Sequence, residues 1–245
     1  MLTVAFRRNV AVPNIRKGDA ALTDTLPIYR CPRIERELAL SGRVDDPLWA
    51  TAPVVKLSDP VTGQPPNKWT EARLLYHTNY LYIAFTCEDD YVWGTYTERD
   101  SPIFREECVE AFICPSGKLR QYYELNVSPR NTVFDAVILN GKSADGSTRR
   151  LTVLDSFTCE GLITLVHING ELGVPGANGY SVEYAIPFTS LIGPDHLIPE
   201  PGDEWRFNLY RIDSLEADKL DLYAWSPPGA RDFHIPWKFG RLVFA

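Results

Sequence analysis

Glu110 is the charged residue in an otherwise apolar run, Cys108 to Cys114, with the sequence CVEAFIC. Because side chains alternate between the two faces of a strand, Glu110 shares one face with two cysteines and Phe112, and the opposite face is wholly apolar. Carboxylates accept strong hydrogen bonds from hydroxyl groups, and an adjacent aromatic ring offers a flat apolar surface. This combination predicts a surface that holds a polar ligand.

A second carboxylate, Glu124, occupies a similar place in the next apolar segment, YYELNV. It faces the same way as Tyr122 and Asn126, while Tyr123 and Leu125 face the other way. Two neighbouring strands that both set a carboxylate beside an aromatic group favour a concave sheet face with a binding site. The alternative is that both glutamates are solvated residues on the outer face of an antiparallel sheet, where charge also protects edges.

Paired carboxylates are also the catalytic groups of glycosidases. Glu106 and Glu107 add two carboxylates near Glu110, but adjacent residues on a strand point to opposite faces. No spacing in the sequence fixes a second carboxylate at the separation that catalysis requires. The sequence also lacks a GxSxG elbow, a phosphate-binding loop and a dinucleotide fingerprint. A glycan-processing enzyme, or an accessory subunit of one, is therefore the alternative to a binding protein.

The overall charge excludes several classes of partner. The chain has 245 residues and a formal net charge of −7. Nucleic acid and anionic membrane surfaces need clustered Lys and Arg, so we expect neither as a partner.

No stretch approaches the length of a transmembrane helix. Arg7, Arg8 and Asn9 interrupt the apolar N-terminal run, so no signal peptide is expected in the sequence as given; a removed leader would indicate an extracellular or periplasmic protein, and otherwise a cytoplasmic one.

Cysteines and acidic clusters are the candidate sites for cross-links and metals. The five cysteines form no CxxC pair and lack a nearby histidine at zinc-ligand spacing, so we expect buried free thiols. Hard oxygen donors cluster at 88–90 and at 45–46, which is consistent with structural calcium. Such residues are also common as caps and in turns. Calcium is therefore an optional structural ion, and no cofactor is required.

The elements that would position these residues are β-strands. The 12 Tyr, 11 Phe and 6 Trp favour sheets over helix bundles. Many short strands with turn residues between them predict an all-β fold, an antiparallel two-sheet β-sandwich with a few short helical turns. Helical turns are expected after Pro47 and after Pro187. Strands are predicted at 71–78, 81–90, 107–114, 120–127, 132–139, 162–168, 179–186, 204–212, 221–226 and 240–244.

No repeat or linker divides the chain, so we expect one sandwich domain over 31–245, preceded by an N-terminal extension or strap over 1–30. Several segments, in their order along the chain, resemble the family 9 carbohydrate-binding modules, which are found beside xylanases and related hydrolases. The resemblance runs from about Leu40 to Ala245. It consists of LSGRVDDPLWATA, ARLLYHTNYLYIAFTCEDD, EECVEAFICP, YYELNVSPRNTVFDA, GYSVEYAIPFTSL, GDEWRFNLYRID, AWSP and PWKFGRLVF.

The resemblance implies a sandwich of jelly-roll type that binds carbohydrate, a sugar or oligosaccharide end, without cleaving it. Family members act in polysaccharide degradation, some hold structural calcium, and an associated glycoside hydrolase is an implied partner. They hold a terminal sugar ring between two aromatic side chains. By position these are Phe104 and Phe233, with Glu110 as a strand carboxylate and Asn126 as a strand amide; Glu124 and Arg99 are further hydrogen-bonding candidates.

Two departures from the family pattern affect the ligand. The better-known sugar binders have Trp at both aromatic positions and a basic residue where this chain has Glu124. Phe offers less stacking area than Trp, and loss of a cation changes which hydroxyl groups can be bound. The alternatives are core packing for the two Phe residues, an ion pair of Arg99 with Asp100 that fixes its loop, and a structural or interaction protein that has lost sugar binding.

Overall fold

The computed structural model describes residues 26–142, 149–216 and 219–245, and across these ranges thirteen strands form two β-sheets. Short 3₁₀ turns connect some of them, at Pro47–Thr51, Ile103–Arg105, Phe188–Ser190 and Pro236–Lys238. The strands are β1 (Ile28–Cys31), β2 (Val55–Lys56), β3 (Thr70–Tyr76), β4 (Tyr80–Cys87), β5 (Cys108–Cys114), β6 (Gln121–Val127), β7 (Val133–Lys142), β8 (Arg149–Leu154), β9 (Ile163–Ile168), β10 (Tyr180–Pro187), β11 (Glu204–Glu216), β12 (Lys219–Ala224) and β13 (Gly240–Phe244).

The two sheets differ in size. The large sheet has the strand order β1-β13-β11-β5-β6-β7-β8, and β12 pairs with the C-terminal half of β11. The small sheet has the order β2-β3-β4-β10-β9. Every pairing between the described strands is antiparallel except that of β1 with β13. The predicted all-β sandwich is therefore confirmed.

Each strand predicted from the sequence is present, with ends that differ by four residues or fewer, and both expected helical turns form. Three strands were not predicted: β1, β2 and β8. The 3₁₀ turn after Pro47 is capped by Asp46, whose carboxylate accepts a hydrogen bond from the amide of Leu48 at 2.9 Å. β1 crosses the boundary expected at residue 30, and residues 1–25 of the expected strap lie outside the described part of the chain.

The alternation predicted for β5 and β6 is confirmed, and it gives the large sheet two apolar faces. Val109, Ala111 and Ile113 point between the sheets, where burial of apolar surface drives folding. The opposite face of the same strands is also covered. It carries a second apolar cluster that includes Cys108, Phe112, Cys114, Tyr122, Phe134, Tyr210, Phe233 and Phe239. Phe233 and Phe239 belong to the segment after β12, and this segment therefore folds over the outer face of the large sheet.

All five cysteines are buried and free, as expected. Burial raises the pKa of the Cys108 thiol well above its usual range, so this thiol stays protonated. Among the described residues, no helix has the length and hydropathy needed to cross a bilayer.

Candidate functional site

A cavity of about 440 Å³ lies on the outer face of the large sheet, between β5, β6, β7 and the β11–β12 hairpin. Its walls are mainly aromatic and aliphatic, and charged groups enter at the floor and the rim. This size and composition are typical of small-molecule sites. The lining residues are Phe104, Glu110, Phe112, Glu124, Phe134, Val153, Ile212, Leu220, Leu222, Arg231, Asp232, Phe233 and His234.

Phe104 stands at one side of this cavity on the 3₁₀ turn Ile103–Arg105. Ile103 is fully buried in the outer cluster and anchors the turn, which leaves the next side chain directed outward. The ring of Phe104 makes an edge contact with Phe134, at 5.4 Å between centroids, and remains 36% exposed. An aromatic ring that is packed against one neighbour and remains partly exposed can take part in stacking with a ligand.

Phe233 contributes the second ring, from the segment after β12. It stacks on Tyr210 with 4.0 Å between centroids and an interplanar angle of 14°. The Tyr210 hydroxyl donates a hydrogen bond to the Phe233 carbonyl at 3.0 Å, and Asn208 donates to that hydroxyl at 2.8 Å. Phe233 is only 8% exposed, so it forms a rigid wall of the cavity.

Glu110 and Glu124 lie at the floor of the cavity on adjacent strands. In the register of β5 with β6, Glu110 stands opposite Asn126 and Glu124 opposite Phe112, so the two carboxylates are diagonal neighbours on one face. Both are buried, with 2% and 5% exposure. Glu124 accepts a hydrogen bond from the Asn126 amide at 2.9 Å, and Glu110 has the Cys108 thiol at 3.5 Å.

Burial makes these carboxyl groups weak acids. Desolvation, which penalises the charged form, raises the pKa of Glu124 to about 7, although the hydrogen bond from Asn126 opposes the shift. Desolvation and the negative charge of Glu124 raise the pKa of Glu110 well above its usual range. Near neutral pH the pair therefore retains a proton and can both donate and accept hydrogen bonds.

His234 is the part of the site that the sequence did not single out as a ligand-binding residue. Its Nδ1 lies 2.8 Å from the Tyr122 hydroxyl, and its carbonyl accepts a hydrogen bond from the Asn140 amide at 2.8 Å. Its Nε2 is 4.0 Å from a carboxylate oxygen of Glu124. The proximity of His234 to Phe233 in sequence was a usable signal, whereas its contacts with β6 and β7 depend on the fold.

The structure sets Asn126 and Arg99 apart from the other four predicted site residues. Asn126 is fully buried and reaches the cavity only through its hydrogen bond to Glu124. Arg99 is not among the residues that line the cavity. Its guanidinium pairs with the buried carboxylate of Asp135 at 2.7 Å, so its partner is Asp135 rather than Asp100. This ion pair connects the loop of Arg99 to β7.

A second cluster of carboxylates lies between the sheets, where Asp89, Glu107 and Asp213 bring oxygens within 4.8 Å of one another. Cations of the chain itself occupy this cluster. Arg211 contacts Asp89 at 2.7 Å and Glu107 at 3.4 Å, and Lys68 contacts Asp89 at 2.6 Å. Burial and a hydrogen bond with Asp89 raise the pKa of Glu107 well above its usual range, which leaves fewer negative charges to balance.

These contacts do not fit the calcium site expected near 88–90. Calcium needs several free carboxylate or carbonyl oxygens, but both oxygens of Asp89 already contact a cationic nitrogen. The same holds for the other acidic cluster, because both oxygens of Asp46 accept hydrogen bonds from Arg36 at 2.8 Å. The acidic residues at these two places are thus ion-pair and capping groups.

A larger cavity of about 660 Å³ adjoins the buried charges, beside Lys68 and Asp213. Tyr223 is the aromatic residue in its lining, and the hydroxyl of this residue is sealed from solvent without a hydrogen-bond partner. Lys68 and Asp213 already form an ion pair with each other at 3.3 Å. These two charges are thus committed to the protein, whereas the smaller cavity is lined by aromatic rings and by buried carboxyl groups.

The family model described as carbohydrate family 9 binding domain-like matches residues 40–245. A proposed carbohydrate-binding protein from Bacteroides uniformis is similar with a TM-score of 0.68 at 17% identity, over 90% of this chain and 100% of its own. No curated protein matches the chain.

Two further solved structures with a similar fold come from Caldicellulosiruptor kristjanssonii, and each is a carbohydrate binding module of family 9. The one in complex with cellotriose has a TM-score of 0.58 at 13% identity, over 89% of this chain and 93% of its own. The one in complex with glucose has a TM-score of 0.53 at 17% identity, over 88% and 95%. At these identities the similarity establishes the fold.

Proposed function

Because this chain belongs to the carbohydrate family 9 binding domain-like family, we propose that it binds the end of a sugar or oligosaccharide in the 440 Å³ cavity and does not cleave it. One observation carries the proposal: two aromatic rings from distant segments, Phe104 and Phe233, line the same cavity as two buried carboxyl groups.

The chemistry of a sugar ring matches this combination. A pyranose has apolar faces of C–H bonds and a belt of hydroxyl groups around its edge. Phe104 offers an exposed ring for the apolar face, and Phe233 offers a rigid wall. Glu110 and Glu124 at the floor supply directional hydrogen bonds to hydroxyl groups, and their raised pKa values allow a protonated carboxyl to donate as well as accept. Structures with this fold hold cellotriose and glucose, which supports the assignment of a sugar to the cavity.

The placement of the carboxyl groups supports binding without cleavage. Glycosidases set their two carboxyl groups on either side of the scissile bond. Glu110 and Glu124 instead project from the same face of adjacent strands, so they approach a ligand from one side. Glycan processing therefore has less support than recognition.

A glycan array followed by calorimetry tests the proposal with the parent and two variants. Phe104→Ala should weaken binding by about 1 to 3 kcal/mol, as loss of an aromatic anchor commonly does, and should leave the fold stable because the ring is partly exposed. Phe233→Ala should weaken binding by a similar amount. It should also lower the free energy of unfolding, because the stack with Tyr210 is lost.

The matched control is Trp69→Ala, which removes an exposed ring outside the cavity and should leave binding unchanged. Absence of binding to every sugar on the array would contradict the proposal, and so would parent-like affinity of a folded Phe104→Ala variant. Release of reducing ends from polysaccharide, abolished in Glu110→Gln, would replace recognition by catalysis.

A further inference from the structure

We propose that the preferred ligand is an amino sugar, whose protonated amino group lies between Glu110 and Glu124 at the floor of the cavity. This inference rests on the proposed function, and it specifies the class of sugar. Its basis is that, in the described residues, neither cavity carboxyl group is paired with a lysine or arginine, and Glu110 has only a thiol as its hydrogen-bond partner.

Other buried carboxylates in the described residues are compensated by cations or by several donors. Asp135 pairs with Arg99 at 2.7 Å. Glu183 accepts hydrogen bonds from two backbone amides at 2.8 and 2.6 Å and from the Trp49 indole at 2.7 Å. Glu106 accepts from the amide of Thr95 at 2.7 Å and from its hydroxyl. Compensation of this kind is the rule for buried charge, since an unpaired buried ion is costly.

Glu110 and Glu124 depart from this rule. In the part of the chain that the structure describes, no Lys or Arg forms an ion pair with either residue. Glu110 has one hydrogen-bond partner, the Cys108 thiol at 3.5 Å, which contacts Oε1. Its Oε2 has no partner in the described structure, although the side chain is 98% buried and lines the cavity. This oxygen is thus available to a ligand.

Two basic groups, Arg231 and His234, line the cavity with the pair, and neither is a lysine or arginine paired with Glu110 or Glu124 in the described residues. On β5 the neighbour is the protonated Cys108 thiol. Arg231, at the rim, donates a hydrogen bond to the Leu220 carbonyl at 2.5 Å. His234 lies 4.0 Å from Glu124 and also contacts the Tyr122 hydroxyl. Asp232 adds a further acidic group to the lining.

A sugar ammonium group fits what is left. It carries three donors and a positive charge, and a charge-assisted hydrogen bond is about twice as strong as a neutral one. The aromatic rings of Phe104 and Phe233 line the same cavity, and ring faces attract cations as well as C–H surfaces. A neutral sugar leaves the carboxyl pair in its protonated form, whereas an ammonium group stabilises the charged form of the pair.

The protonation of the pair gives the proposal a distinctive signature. Desolvation raises the pKa of Glu124 to about 7 in the free protein, so the pair holds a proton near neutral pH. An ammonium group beside the pair favours the charged carboxylates, and the proton is then released to the buffer. A neutral sugar lacks this charge and does not release the proton.

Calorimetry with three trimers of matched length tests the inference: a cello-oligosaccharide, the corresponding oligosaccharide of glucosamine, and its N-acetylated form. Acetylation removes the charge and keeps the nitrogen, so it is the decisive control. We expect the glucosamine trimer to bind at least about tenfold more tightly than the acetylated trimer near neutral pH. Its binding heat should change with the ionisation enthalpy of the buffer, which reports proton release.

Glu110→Gln should remove the tenfold preference for the glucosamine trimer over the acetylated trimer, because the amide keeps the size of the side chain and removes its charge. Glu35→Gln, at an exposed residue outside the cavity, should keep the selectivity of the parent. Equal or tighter binding of the acetylated or neutral trimer by the parent would overturn the amino-sugar inference and leave the proposed function standing. Absence of binding to all three trimers and to the glycan array would overturn both.

Discussion

Two groups of buried carboxyls lie on opposite faces of the large sheet, and they differ in whether a lysine or arginine pairs with them. Between the sheets, Asp89 and its neighbours contact Arg211 and Lys68 at distances down to 2.6 Å. In the cavity on the outer face, Glu110 and Glu124 have no lysine or arginine partner among the described residues. The first group is paired with cations of the protein itself, and the second group is the one for which we propose a ligand.

The difference distinguishes buried carboxylates that are ion-paired within the protein from buried carboxyl groups that we propose to contact a ligand. An ion pair that satisfies its own oxygens has little to offer a ligand, even beside a larger cavity such as the one near Lys68. A carboxyl pair that stays desolvated and uncompensated costs stability, and a protein retains such a cost most readily where a ligand offsets it. The contrast can be tested by removing charge from each group in turn.

The largest effect is expected between the sheets, for Arg211→Met. Arg211 is fully buried and contacts both Asp89 and Glu107. Loss of the guanidinium leaves buried carboxylates unpaired, so the free energy of unfolding should fall by about 3 to 5 kcal/mol. Urea denaturation measures the change, with Arg30→Met on the exposed side of β1 as the control. A loss below about 1 kcal/mol would mean that this cluster does not depend on its cation.

An intermediate effect on stability is expected when the two cavity carboxyl groups are removed. Their removal should raise stability at neutral pH relative to acid pH, whereas Arg211→Met lowers stability. The pKa of Glu124 is raised from 4.5 to about 7 in the folded protein. The resulting stabilisation is fully present below pH 4.5 and is lost as the pH rises through about 7. Over the same pH range, the double variant Glu110→Gln and Glu124→Gln should lose less free energy of unfolding than the parent, by roughly 1 to 3 kcal/mol.

Urea denaturation at a series of pH values measures this difference, with Glu35→Gln as a control that should follow the parent. If the double variant lost as much stability as the parent between acid and neutral pH, the cavity carboxyls would not be the groups that titrate.

The smallest effect is expected from calcium. Because Arg211 and Lys68 already contact the oxygens of Asp89, added calcium has no free set of ligands there. The unfolding temperature should differ by less than about 1 °C between calcium and a chelator. A larger, saturable rise with calcium would show that the ion displaces the internal cations, and the contrast between the two groups would then disappear.

Much of the fold could be predicted because local patterns carry it. The two-residue alternation in β5 and β6 sets the faces of Val109 and Phe112 correctly, and Pro47 marks a short turn. The strands that were missed lack such a signal. β1 is a four-residue strand whose place depends on its parallel pairing with β13, more than 200 residues later, and β2 has two residues.

The site was predictable in part for the same reason. Phe104, Phe233, Glu110 and Glu124 line one cavity, and their residue types already indicated a polar ligand. The partner of Arg99 was not predictable, because Asp135 lies 36 residues away and only the fold brings them together. The burial of Glu110 without a lysine or arginine partner among the described residues is likewise a property of the assembled sheet, and this burial raises the pKa of the carboxyl group.

Neighbouring residues of β11 keep the two groups of carboxyls apart. Tyr210 stands opposite Glu110 in the pairing with β5 and supports the wall of the cavity, while Arg211 stands opposite Val109 and points between the sheets. A slip of this strand by one position would exchange their faces. The guanidinium would then enter the 440 Å³ cavity, and the tyrosine would leave the carboxylates between the sheets without their arginine, so the chemistry of both places depends on one strand register.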